Sequence, residues 1–192
     1  MVFSSFNRKL PQISIFHNPA SPPSTKALAL LRSALTHPYP PSAPAAPPLE
    51  FDLEVVEGTP PTPDQFRTIL GYLRSPPASN SHPSSSSSSH SSPPSSQPSS
   101  SHPPPTLAAF LSAHPSAPLP AEAPRTPQTL TALAAQNPAA LRWPVVVDWI
   151  GGRASVGDVE GVRGILEAVR RARDGEGGGE GEGVDKARGW FS

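Results

Sequence analysis

The sequence predicts an α/β fold: a four-stranded mixed sheet flanked by helices. Three observations predict it. Two β-rich runs, residues 12–17 and 49–56, lie on either side of a helix-length apolar stripe. The run Val145-Val146-Val147 is apolar at successive positions, as a strand buried on both faces must be. After it the chain offers a tight glycine turn, one more short strand and a last amphipathic helix.

The first strand is Gln12-Ile13-Ser14-Ile15-Phe16-His17, followed by the turn Asn18-Pro19-Ala20-Ser21-Pro22-Pro23. A helix over residues 24–36 carries Ala27, Leu28, Leu31, Ala34 and Leu35 on one face. Ser21 reads as its N-cap, because Pro22 then falls at the first helical position, where a missing N–H costs nothing. Strand, turn and helix in this order open a βαβ unit. Residues 37–48 hold six prolines and read as a linker or extended insertion. In residues 49–56 apolar and acidic residues alternate, which predicts a second strand with one solvated face.

The second helix has a complete start signature. Thr62 caps it, Pro63 is the first helical residue, Asp64 sits at the positive end of the dipole and Gln65 completes a capping box. Phe66, Ile69, Leu70 and Leu73 form its stripe. A short helix is expected within residues 106–113, and Thr126 opens another that runs to Ala135 with Leu130, Leu133 and Ala134 apolar. Residues 143–149 form the buried third strand, Ile150-Gly151-Gly152 the turn, and Arg153-Ala154-Ser155-Val156 the fourth strand. Asp158 caps the final helix, whose inward residues are Val159, Val162, Ile165, Leu166 and Val169.

The chain therefore divides into six parts. An extension (residues 1–11) precedes a βαβα half (12–73). A Ser/Pro/His-rich insertion (74–105) is expected to be disordered, since its side chains cannot offset the entropy of ordering. A helical connection with a Pro-rich linker (106–142) leads to a ββα half (143–172) and a flexible Gly/Glu-rich tail (173–192). With the first two strands parallel across a helix and the last two paired as a hairpin, the arrangement is that of a thioredoxin fold.

Composition narrows the function. The 192 residues include 29 prolines and carry a formal net charge of zero, so no basic surface is offered to nucleic acid. No run approaches the ~18 apolar residues of a membrane span. There is no cysteine, which removes thiol–disulfide chemistry, structural disulfides and thiolate metal sites. His82, His90 and His102 lack carboxylate or thiolate companions, so neither a metal nor a cofactor is expected. Residues 1–10 carry Arg8 and Lys9 and no acid, a composition compatible with a mitochondrial targeting segment.

Three segments resemble a known family. Phe16-His17-Asn18-Pro19-Ala20-Ser21-Pro22-Pro23-Ser24 resembles the active-site turn of the arsenate reductase branch of thioredoxin-like proteins, which runs His-Asn-Pro-x-Cys-x-x-Ser after the first strand. Trp143-Pro144 before the valine strand resembles the segment that carries that fold's cis-proline, and residues 151–158 resemble its closing hairpin. Together they look most like a fungal family assigned as mitochondrial redox proteins, proposed to reduce small toxic molecules. The resemblance implies an oxidoreductase in the mitochondrion. It departs at the centre: Ser21 stands where the turn holds its nucleophilic cysteine, and residues 74–77 supply no cysteine at the family's other location.

A helix N-terminus can bring a thiol pKa down to about 3.5–7.5, but serine needs an adjacent general base. Ser21 therefore stands at the nucleophile position without an evident means of activation. A substrate-binding reading assigns Ser21, Ser24, Thr25 and the first-turn N–H groups to a carboxylate or phosphate. By resemblance, Trp143 and Pro144 would line a groove for an extended small-molecule or peptide substrate. The alternative to an oxidoreductase is a non-enzymatic binding module for a peptide or small anion.

Overall fold

The computed structural model describes residues 10–74, 106–118 and 122–175. The suggested targeting residues Arg8 and Lys9, the Ser/Pro/His-rich segment with its three histidines, and nearly all of the Gly/Glu-rich tail lie outside the described residues.

Strand β1 (Gln12–His17) leads into helix α1 (Pro22–Thr36), then β2 (Asp52–Glu57) and α2 (Pro63–Arg74). A one-turn 3-10 helix (Leu107–Phe110) precedes α3 (Pro127–Gln136), and β3 (Val145–Asp148), β4 (Arg153–Val156) and α4 (Val159–Asp174) follow. The sheet order is β2-β1-β3-β4. β1 and β2 run parallel, with Ile13 opposite Leu53, while β3 is antiparallel to both β1 and β4. This is the expected mixed four-stranded sheet, and it is compatible with a thioredoxin-like arrangement.

Side-chain alternation divides the core into two layers. Ile13, Ile15 and Val146 face α1 and α4, whose Ala27, Leu31, Val162 and Leu166 are fully buried. Phe16, Val145 and Val147 face the opposite layer of α2 and α3, where the Phe66 and Phe110 rings meet edge to face at 4.9 Å. The central strands are therefore buried on consecutive positions, whereas the edge strand β2 keeps Asp52, Glu54 and Glu57 exposed.

The helix starts follow their sequences. In α2, Thr62 Oγ1 accepts from the Gln65 backbone and Gln65 Oε1 accepts from the Thr62 backbone. Thr126 and Thr129 make the same reciprocal box in α3. Asp158 accepts from the N–H groups of Glu160 and Gly161.

The proline-rich loop after α1 is built into the fold, which differs from a linker. Tyr39 is 93% covered, being 7% exposed, and packs in the α1–α4 layer. Arg173, at the end of α4, donates to the carbonyls of Tyr39 and Pro47. Burial, reinforced by the Glu167 charge, raises the Tyr39 phenol above its ordinary value. The spacing rule for prolines registers their hostility to helix and sheet but is blind to a single buried aromatic between them.

Candidate functional site

The bend between β1 and α1 meets the segment that enters β3. Asn18 shapes the bend: its side-chain oxygen accepts from the Ala20 N–H at 3.0 Å and its carbonyl accepts from the Ser21 N–H at 3.0 Å. Ser21 occupies the N-cap position of α1, yet its side chain makes no capping hydrogen bond. The hydroxyl points away from the helix and donates to the Trp143 carbonyl at 3.5 Å, the long limit of such a bond. Residues 122 positions apart are thereby neighbours. The Trp143–Pro144 peptide is cis.

On the far side, the chain before β3 is held like a strand. The Arg142 N–H donates to Phe110 and the Ser112 N–H to Ala140, a one-rung antiparallel pairing. In an extended chain successive residues point their N–H and C=O groups to opposite edges. Trp143 therefore turns its main chain away from Phe110 and toward Ser21. Its N–H has no hydrogen-bond partner among the described residues. The indole is anchored separately, donating to the Pro138 carbonyl at 2.7 Å, and Trp143 is 5% exposed.

Between these two walls lies an open cleft of about 490 Å³, lined by Asn18, Ser21, His114, Leu141, Arg142 and Trp143 among others. Of the five residues assigned to substrate binding, Ser21 and Trp143 line it. Ser24, Thr25 and Pro144 do not. Ser24 is fully buried, with its hydroxyl 2.8 Å from His17 Nδ1 and accepting from the Asn18 N–H at 3.1 Å. The Thr25 hydroxyl donates to the Ser21 carbonyl. Pro144 is buried, and its carbonyl accepts from the Gly157 N–H.

The amides of the bend are also largely committed. Pro22 and Pro23 have none, while those of Asn18, Ala20, Ser21 and Thr25 already donate within the protein. The helix start thus lacks the row of open N–H groups that a phosphate cradle requires.

Serine activation finds no support in this geometry. The nearest histidine in sequence, His17, engages Ser24 rather than Ser21, and both members of that pair are buried. No hydrogen bond joins Ser21 to a histidine or carboxylate among the described residues. No group of three or more His, Cys, Asp or Glu that could hold a metal occurs among the described residues. No helix among them is long and apolar enough to cross a membrane.

Sequence reasoning did not single out Asn18, His114 or Arg142. The Asn-Pro turn is a local signal for Asn18, since a short amide side chain at that place bonds the backbone two residues on. Arg142 and His114 carry no local signal. They reach the cleft only because residues 110–112 pair with residues 140–142.

What fold and cleft define is an α/β protein with a polar bend facing the Trp143 main chain, and with no thiol between them. Residues 3–157 match the model of the family described as "Protein of unknown function (DUF1687)", and the chain belongs to that family. No curated protein and no solved structure matches it.

Proposed function

We propose that this chain is a cysteine-free relative of thioredoxin-like oxidoreductases, and that its cleft binds a peptide or peptide-like small molecule against the Trp143 main chain. One observation carries the reading: Trp143 lines the cleft, its N–H has no hydrogen-bond partner among the described residues and its carbonyl meets only the Ser21 hydroxyl, so its main chain is placed to pair with an extended backbone. The resemblance of residues 16–24 and 143–158 to the fungal redox family supplies the oxidoreductase descent and, with it, mitochondrial residence.

Any reduction at this cleft draws its electrons from outside the chain. Two molecules of an external thiol such as glutathione would be oxidised to one disulfide for each two-electron reduction of substrate. The chain itself contributes binding and orientation, because Ser21 can donate a hydrogen bond but cannot be oxidised to a disulfide.

The test is a rate measurement with purified protein, glutathione as sole thiol, and a disulfide, a quinone or arsenate as acceptor. The wild-type chain is expected to show no acceleration, and Ser21→Cys to create one, since the cysteine then sits at the start of α1 beside Trp143. A wild-type rate would restore catalysis to this member. An inert Ser21→Cys variant, together with no movement of the Trp143 amide resonance on adding glutathione, would overturn the reading.

A further inference from the structure

Among the described residues, the wall of the cleft next to Trp143 carries a single permanent cation. Arg142 is exposed, and its guanidinium has no hydrogen-bond or ion-pair partner among the described residues. No Asp, Glu or Lys among the described residues lines the cleft. The other basic side chain there, His114, uses Nδ1 to accept from the Ser116 N–H at 3.2 Å and to bond the Ser116 hydroxyl at 2.7 Å. Arg142 also has a lane to lie in. A Cβ built on Gly157 would stand 3.0 Å from both Cβ and Nε of Arg142, and Gly157 has φ +69°. That glycine serves two needs at once: it makes the left-handed turn into α4 and leaves room for the arginine stem.

We infer that Arg142 selects the ligand by pairing with a carboxylate carried by the peptide-like molecule that lies along Trp143. This deepens, and rests on, the binding role proposed above for the same cleft. A guanidinium presents a planar fork that matches a carboxylate or a phosphate. The surroundings decide between the two. A phosphate dianion asks for several converging amides or a second cation, and at the bend the amides of Asn18, Ala20, Ser21 and Thr25 are already bonded within the protein, with prolines at 22 and 23. One guanidinium matches one carboxylate in charge and in hydrogen-bond count. The apolar floor of Ala20, Leu141 and Trp143 suits the body of a short peptide.

The experiment titrates the full chain with glutathione, its diethyl ester and inorganic phosphate, following the Trp143 amide resonance and the heat of binding. Glutathione is expected to bind about tenfold or more tightly than the ester. Arg142→Gln should abolish that difference, and Arg142→Lys should restore only part of it, since a point charge replaces the fork. Equal affinity for acid and ester, or an Arg142→Gln variant that binds glutathione as wild type does, overturns the carboxylate role while leaving cleft binding intact. Tighter binding of phosphate than of glutathione overturns the choice of ligand class. If acid and ester both fail to move Trp143, the cleft reading itself fails and the role of Arg142 goes with it.

Discussion

Helices α1 and α4 share one face of the sheet and pack against each other, yet their ends are completed in opposite ways. α4 answers its own ends. Asp158 caps the first amides, Glu160 sits in the first turn, Arg171 and Arg173 in the last, and Gly175 closes the helix with φ +76°. α1 has no acid in its first turn, no base in its last and no side-chain cap. Two of its three N-terminal hydroxyls work outside the helix: Ser21 reaches the strand entrance at Trp143, and Ser24 holds the end of β1 through His17 and Asn18. A helix start capped by its own side chain can have that cap altered with little consequence elsewhere. A helix whose start is completed by other elements reports on those elements, and anything bound in the cleft acts on it directly.

The comparison can be broken most forcefully at Ser24. Ser24→Ala leaves the His17 ring nitrogen and the Asn18 N–H without their buried partner, so a loss of about 1–3 kcal/mol is expected in chemical denaturation. Loss below that range would mean that another group or a water takes over, and that Ser24 does not tie α1 to β1. Asp158→Ala comes next. Removing the two bonds that start α4 should cost about 1 kcal/mol, within the roughly 0.5–2 seen for such caps. Because that cap is self-contained, the variant should leave the Trp143 and Ser21 amide resonances in place. Movement there would show that α4 is also coupled to the cleft.

The same contrast explains what could be read in advance. α4 was legible to its cap, because Asp158 and the apolar positions Val162, Ile165, Leu166 and Val169 are all local signals. The capping box of α2 and the limits of β4 are local in the same way. The directions of the two outer pairings also followed, since a crossover helix makes β1 and β2 parallel and a tight turn makes β3 and β4 antiparallel. The α1 start looked like an ordinary serine cap because a pattern of Ser-Pro-Pro cannot say where the hydroxyl turns. That direction is set by Trp143, 122 positions later, and by a strand-to-helix pairing of His17 with Ser24 across the bend. Tyr39 carries no local signal for a related reason: its ring is buried among residues of α1 and α4, and its loop carbonyls meet Arg173, 134 positions later.

The smallest expected effect is the sharpest discriminator. Ser21 stands at a cap position, and an ordinary cap serine replaced by alanine costs about 0.5–2 kcal/mol. Here the hydroxyl accepts nothing from the helix, and its bond to the Trp143 carbonyl is at the 3.5 Å limit. Ser21→Ala should therefore shift the denaturation midpoint by no more than about 0.5 kcal/mol, the range of a surface change. The amide resonance of Trp143 should nevertheless move, since its carbonyl loses a donor. A loss as large as that of Asp158→Ala would show that the serine caps α1 in solution, and the hydroxyl would then be turned away from the cleft in which it is proposed to act.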